Sequence, residues 1–255
     1  MIRYKLSLEY DGGGFVGWQR QSNGLSVQEA IEDSFKAFNG QSVSVIGAGR
    51  TDSGVHALGQ VAHVDLNAYL ESESLKRALN FYLKPRLIAV LAADVVVSDF
   101  HARFSAKSKR YMYRITNRPE PVTLGRGYAW HIPPRLNTRA MNRAASLLVG
   151  KHDFTTFRAK SCQANSPIRT LDSLSIKRSG SDITVEASAR SFLHRQVRNI
   201  VGTLKLVGEG KWTQDDVKDA LDARDRKAGG PTAPAHGLYL VEVSYDTLEQ
   251  ELAPL

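Results

Sequence analysis

Gly49-Arg50-Thr51-Asp52-Ser53-Gly54-Val55-His56-Ala57 is the stretch from which this chain is best read. It sets one carboxylate, Asp52, between an arginine and a glycine turn. Val43-Ser44-Val45-Ile46 just before it has the residue types of a strand. Asp52 is therefore expected where a strand gives way to a loop, a frequent place for a reactive group on a rigid scaffold. Asp-Ser-Gly alone would be an ordinary turn. The nine residues in this order carry more than a turn does, and the segments on either side extend the pattern.

Working outward, Arg3 to Tyr10 alternates as a strand does. Ser26-Val27-Gln28-Glu29 has the form of a capping box. Val27, Ala30, Ile31, Phe35 and Phe38 follow it at helical spacing, and Gly40 ends the helix. Strands are expected over 42–48 and 60–66. A second helix is expected over 73–83, with Leu75, Ala78, Leu79 and Tyr82 inward, and then a buried strand from Leu87 to Val97. The second half predicts a strand over 110–116 and a helix over 138–149. It continues with strands over 168–178 and 183–190, joined by the turn Ser179-Gly180-Ser181-Asp182. Helices over 192–207 and 213–224 follow, the latter capped by Thr213. A loop rich in Gly and Pro covers 225–235, and a last strand covers 238–245. Strands and helices mixed in both halves, with antiparallel-style turns, point to α+β. The tail Glu249 to Leu255 carries no readable pattern.

The 255 residues suffice for one large domain or two small ones. The formal charge is +8, from 34 basic and 26 acidic residues, a balance that suits a polyanionic partner such as nucleic acid. The single cysteine, Cys162, can form no internal disulfide, and no Cys-x-x-Cys metal pattern exists. The N-terminus lacks the apolar core of a signal peptide, and the apolar stretch 87–97 is too short to span a bilayer. The expectation is a cytoplasmic protein with no membrane segment.

The run from Gly49 to Ala57, continued by Gly59-Gln60-Val61-Ala62-His63, resembles the catalytic motif of the tRNA pseudouridine synthase A family. Tyr10-Asp11-Gly12, Gly17-Trp18-Gln19-Arg20-Gln21, Phe100 to Ala106 and Arg110-Tyr111-Met112-Tyr113 resemble further motifs of that family. So do Gly150 to Phe154, Val197 to Gly202 and Ala235 to Leu240. The resemblance runs from about residue 4 to residue 245. It implies two α/β domains, each on an antiparallel sheet with helices on one face, joined with the active-site cleft between them. The boundary is placed near residue 107, giving an N-terminal domain over 1–107 that carries the Asp52 loop and a C-terminal domain over 108–255. It further implies a homodimer acting on the tRNA anticodon stem-loop, at tRNA positions 38, 39 and 40.

Turning uridine into pseudouridine breaks an N-glycosidic bond and makes a C–C bond to the same sugar. Neither redox cofactor nor group donor is needed, so no cofactor is expected. An ionised carboxylate is needed, and the resemblance maps the family's catalytic aspartate, the nucleophile, onto Asp52. Whether it first meets C1′, C6 or the C2′ proton stays open. A nearby arginine favours the charged form. Arg50, two residues away, shares a side with Asp52 on an extended chain. Arg198 is the residue to which the resemblance maps the arginine that pairs with the aspartate.

Tyr111, Tyr113 and Ile115 share one strand face. On their own they read as a core stripe. The resemblance makes Tyr111 the ring that stacks on the target base, its hydroxyl open to proton transfer at C5, while Tyr113 stays core. Gly17 to Gln21 follows a glycine-rich stretch and lacks the Gly-Lys-Ser/Thr ending of a nucleotide loop. The resemblance sends this loop into the RNA, with Gln19 and Arg20 as substrate contacts. The family usually has serine where this chain has Gly13, which bears on the rigidity of the loop.

His56, His63 and His101 fit no tight zinc spacing and read as structural or RNA-facing. Lys107, Lys109, Arg110, Arg114 and Arg118 suit phosphate. His194, Arg195 and Arg198 are expected on one helix. Three alternatives compete with the isomerase. A non-catalytic RNA binder would gain nothing from a carboxylate held near phosphate. A hydrolase would want a second carboxylate, and none follows Asp52 before Asp65. A pseudouridine synthase with shifted target positions keeps the same chemistry.

Overall fold

The computed structural model describes residues 1–246; the tail from Glu249 lies outside them. The chain divides into two compact units, Met1–Lys109 with residues 240–246, and Arg110–Tyr239. The first division falls two residues after the boundary read from sequence. The C-terminal segment belongs with the first unit, whereas the sequence reading left it with the second. A local reading of elements cannot see this return, because it depends on which strand the last one pairs with. Both units mix helices with sheet, so the class is α+β.

The first unit opens with β1 (Ile2–Tyr10), whose Tyr4, Leu6, Leu8 and Tyr10 are buried on one face. Helix α1 (Val27–Asn39) follows, its N-terminus capped by Ser26, whose hydroxyl accepts the Glu29 amide at 3.1 Å. Gly40 ends it in the left-handed region, at φ 72°. Strand β2 is only Ile46–Gly47, shorter than the 42–48 expected. The reason lies in α1: Glu32 accepts the Val45 amide and Gln28 donates to the Val45 carbonyl, at 3.1 Å each. Side chains thus satisfy backbone groups that a ladder would otherwise hold.

Strand β3 (His56–Leu66) pairs antiparallel with β1 and β2. It begins four residues earlier than expected. Helix α2 (Ser72–Leu83) buries Leu75, Leu79 and Leu83 and packs on α1. Tyr82, expected inward, is exposed and lies edge-on to Phe81, because Leu83 completes the buried row in its place. Strand β4 (Ile88–Val96) pairs antiparallel with the other side of β1.

In the second unit, strand β5 (Ser108–Thr116), which starts in the first unit, meets the two-residue β6 (Trp130–His131) in parallel. Helix α3 (Thr138–Ser146) ends three residues short of the expected span. The expected strand 168–178 is two strands. After β7 (Gly150–Asp153), β8 (Ile168–Leu171) pairs with β7, whereas β9 (Ser173–Ser179) pairs with β10 (Asp182–Ala189). The break is Asp172, whose amide donates to the Ser188 carbonyl. The β9–β10 turn falls at Gly180-Ser181, as its sequence predicts.

Helix α4 spans Gln196–Gly208 rather than 192–207. Arg195 sits at φ 62°, the left-handed region, so no helix can run through it. His194 and Arg195 therefore precede the helix, and of the three expected basic residues Arg198 alone lies on it. Helix α5 (Gln214–Ala223) carries the expected Thr213 cap as a full capping box with Asp216. Strand β11 (Leu238–Ser244), the last among the described residues, lies beside β3. Among the described residues no helix is long and apolar enough to cross a membrane.

Candidate active site

Asp52 is half-buried in the first unit, in the loop between β2 and β3. That loop is clamped by buried polar side chains. Gln60 donates to the Gly49 carbonyl at 2.8 Å, and the Lys109 ammonium donates to the Ala48 carbonyl. The Tyr10 and Thr51 hydroxyls share a hydrogen bond of 2.8 Å. The Thr51 carbonyl accepts the Trp18 amide at 3.0 Å, and the Asp52 carbonyl accepts the Val55 amide at 3.1 Å. A carboxylate on such a loop keeps a fixed position, since few of its neighbours retain freedom to move.

The glycines beside this loop are needed for close approach. A Cβ on Gly12 would lie 2.0 Å from the Val55 carbonyl oxygen. Gly17, at φ 116°, bridges to Asp52, and a Cβ there would lie 2.8 Å from the Thr51 carbonyl oxygen. Gly12–Gly14 is a turn of 3-10 helix capped by Asp11.

Arg50 is exposed at the loop surface. Gln19 and Arg20 are tied to α1. Gln19 donates to Gln28 at 2.9 Å, and the Arg20 guanidinium lies 3.0 Å from Glu32 and 3.5 Å from Glu29. In the second unit, Tyr111 is 8% exposed and meets Phe192 edge-on, with ring centroids 5.1 Å apart. Tyr113 is fully buried, its hydroxyl donating to the Pro234 carbonyl at 2.8 Å. It is the core residue the sequence reading makes it. Arg198, on α4, directs Nε to the Ala233 carbonyl at 2.8 Å.

Lys109 is the residue that sequence misplaces. It reads as one of a surface cluster, yet it is buried under the Asp52 loop, and burial followed by repulsion from Arg103 lowers its pKa to about 8. A basic residue in a basic segment gives no sign of burial. The only signal is its place on β5, where alternate side chains turn inward.

His56, His63 and His101 each accept backbone amides. The Gly12 amide donates to His56 Nδ1 at 3.1 Å, and the Ala102 amide donates to His63 Nδ1 at 3.1 Å. His101 Nδ1 accepts from the Arg103 and Phe104 amides. Burial first, then the positive charge of Arg3, pulls the His63 pKa from 6.5 to about 4. His101 and Asp65 also face it, the first lowering and the second raising that value. The unfolded chain takes up this proton near 6.5 and the folded chain only near 4. Stability should therefore hold above pH 6.5 and fall by about 2 to 3 kcal/mol on acidification from there to about pH 4. Asparagine in place of His63 keeps an acceptor for the Ala102 amide and cannot titrate. Urea unfolding at pH 7.5 and 4.5 should show a smaller loss in His63→Asn; an equal loss in both proteins would rule out His63 as the source.

The pattern that defines the tRNA pseudouridine synthase family matches residues 7–105 and 144–246 of this chain. The chain is 56% identical over 245 residues to the tRNA pseudouridine synthase A of Rhodospirillum centenum, covering 96% of this chain and 100% of that protein. It is 53% identical over 246 residues to the protein of the same name from Parvibaculum lavamentivorans, again covering 96% and 100%. With that of Paramagnetospirillum magneticum it shares 55% over 245 residues, 96% of each chain. The Asp52 loop, Tyr111 and Arg198 all lie in or between the matched segments of chains alike over nearly their whole length, and this protein belongs to the tRNA pseudouridine synthase A family of isomerases.

Proposed function

We propose that this protein converts uridine to pseudouridine in the tRNA anticodon stem-loop, at positions 38, 39 and 40, with Asp52 as its catalytic nucleophile. The observation that carries this is the Asp52 loop itself, a half-buried carboxylate on a backbone clamped by Gln60, Lys109, Tyr10 and Trp18. Family membership supplies the reaction class. The N1–C1′ bond breaks, a C5–C1′ bond forms to the same sugar carbon, C5 loses a proton and N1 gains one, so atoms and electrons balance without an outside reactant. The residues supply three things: charge, orientation and a hold on the freed base.

Arg198 takes the role that the family resemblance gives it, the positive charge that partners the catalytic carboxylate. Tyr111 stacks on the splayed base, as proteins commonly grip unpaired RNA on an aromatic ring. Its edge contact with Phe192 supports this role by holding the ring upright. Arg50, exposed beside Asp52, meets the phosphate backbone. Gln19 and Arg20 contact substrate from a loop that α1 already holds in place. A uridine within the stem must first be turned out, at about a few kcal/mol, and the net charge of +8 helps to offset that through phosphate contacts. The working form is a cytoplasmic homodimer whose two subunits share one tRNA.

The test is pseudouridine mapping on unmodified tRNA transcripts incubated with the purified protein. New pseudouridine at 38, 39 and 40 is expected. Product at other positions would replace the assigned target, and no product on any tRNA would leave a non-catalytic RNA binder as the better reading.

A further inference from the structure

Arg198 is held in place by a strap, residues 225–235, that lies along α4 within the second unit. Asn199, Gly202 and Thr203 form the helix face that receives it. The Thr203 hydroxyl accepts the Gly230 amide at 3.0 Å. Gly202 leaves room for the Pro231 carbonyl, since a Cβ there would lie 1.7 Å from that oxygen. Asn199 Oδ1 accepts from the Thr232 hydroxyl at 2.6 Å and from Arg226 Nη2 at 3.2 Å. Arg226 Nη2 also lies 2.9 Å from the Gly230 carbonyl and 3.2 Å from the Thr232 hydroxyl. One guanidinium nitrogen therefore joins the helix to both sides of the Gly230-Pro231-Thr232 turn.

Just beyond this node the strap meets Arg198 twice. The Ala233 amide donates to the Arg198 carbonyl at 3.0 Å, and the Ala233 carbonyl accepts Arg198 Nε at 2.8 Å. A guanidinium is planar, so an acceptor fixed at Nε sets the plane in which its two Nη groups lie. The Ala233 carbonyl is fixed only if the turn before it is fixed. The turn and the residue before it supply Gly230 and Gly229, the residue type with the most backbone freedom to lose.

We propose that Arg226 is a positioning residue for Arg198, clamping the strap whose Ala233 carbonyl orients that guanidinium. The proposal rests on the reading of Arg198 as the partner of the catalytic carboxylate. Arg226 touches no substrate in this scheme, and its whole effect passes through Ala233.

The experiment is a double-mutant cycle on single-turnover pseudouridine formation with saturating tRNA. Arg226→Gln should slow the step by about 30-fold, the scale of a small misplacement of a catalytic group. Affinity for tRNA should stay within about twofold of the parent, and Arg226→Lys should recover part of the rate. Arg198→Lys lacks the Nε that meets Ala233, so adding Arg226→Gln to it should cost no more than about twofold. An unchanged rate in Arg226→Gln, or the same loss in both backgrounds, would overturn the positioning role. Parental activity in Arg198→Ala would instead remove the reading of Arg198 and the proposal with it. If Arg226→Gln folds poorly, Thr232→Val weakens the same node while leaving Arg226 in place. It should slow the step by about fivefold and show the same non-additivity.

Discussion

Asp52→Ala is expected to bind tRNA with near-parental affinity and to make no detectable pseudouridine. The single-turnover rate should fall by at least about 10⁴-fold, the range seen when a reacting carboxylate or nucleophile is removed. Binding should survive because phosphate contacts come from basic side chains, and removing an acid takes nothing from them. The fold should survive as well. The loop is held by its carbonyls at Ala48, Gly49 and Thr51 and by the Thr51 hydroxyl, none of which belongs to the Asp52 side chain. Asp65, the next carboxylate along the chain, cannot readily substitute. Two of its oxygens are engaged by Arg3 at 2.7 Å each, and those bonds hold its pKa below the usual carboxylate range. Asp52→Asn keeps the shape and loses the charge, and should be equally inactive. Product from either variant would remove Asp52 as the reacting group.

Gly202→Ala should be the most damaging one-methyl change in the second unit. The new Cβ would lie 1.7 Å from the Pro231 carbonyl oxygen and 2.8 Å from its carbon, so backbone rather than a flexible side chain must move. Overpacking of this kind costs about 3 kcal/mol. For a chain of this length that corresponds to roughly 10 °C in melting temperature. The strap should also lift from α4, carrying the Ala233 carbonyl away from Arg198, so activity should fall further than stability alone explains at a temperature where the variant is folded. Thermal unfolding and single-turnover rates on the same preparation check both parts. A melting temperature within about 2 °C of the parent would show that the helix and strap accommodate the methyl.

The order of elements was legible because each has local signals. Ser26 and Thr213 mark helix starts, Gly40 a helix end, and Gly180 a hairpin, all through bonds within a few residues. Local signals fail where a distant side chain or a backbone conformation intervenes. Residues 42–45 have strand composition, but Glu32 and Gln28 occupy the Val45 backbone groups. Residues 192–195 have helical composition, but Arg195 is left-handed and the Leu193 amide donates to Gln196 Oε1 at 2.8 Å. On α2 either of two neighbouring rows could face inward, and Leu83 rather than Tyr82 completes the buried one.

Asp52 and Tyr111 are singled out by short contiguous motifs that resemble those of the family. Their supports are not, since Lys109 lies 61 residues from Ala48 and Ala233 lies 35 from Arg198. The sequence by itself determined the α+β class and the family, because those depend on residue type and local spacing along the chain. Tertiary structure alone decided that Lys109 is buried beneath the Asp52 loop and that Gln19 and Arg20 are tied to α1. It also decided that a glycine–proline strap holds Arg198. Each depends on which distant backbone carbonyl or carboxylate a polar group reaches on folding, and a buried polar group must find such a partner wherever the chain supplies it.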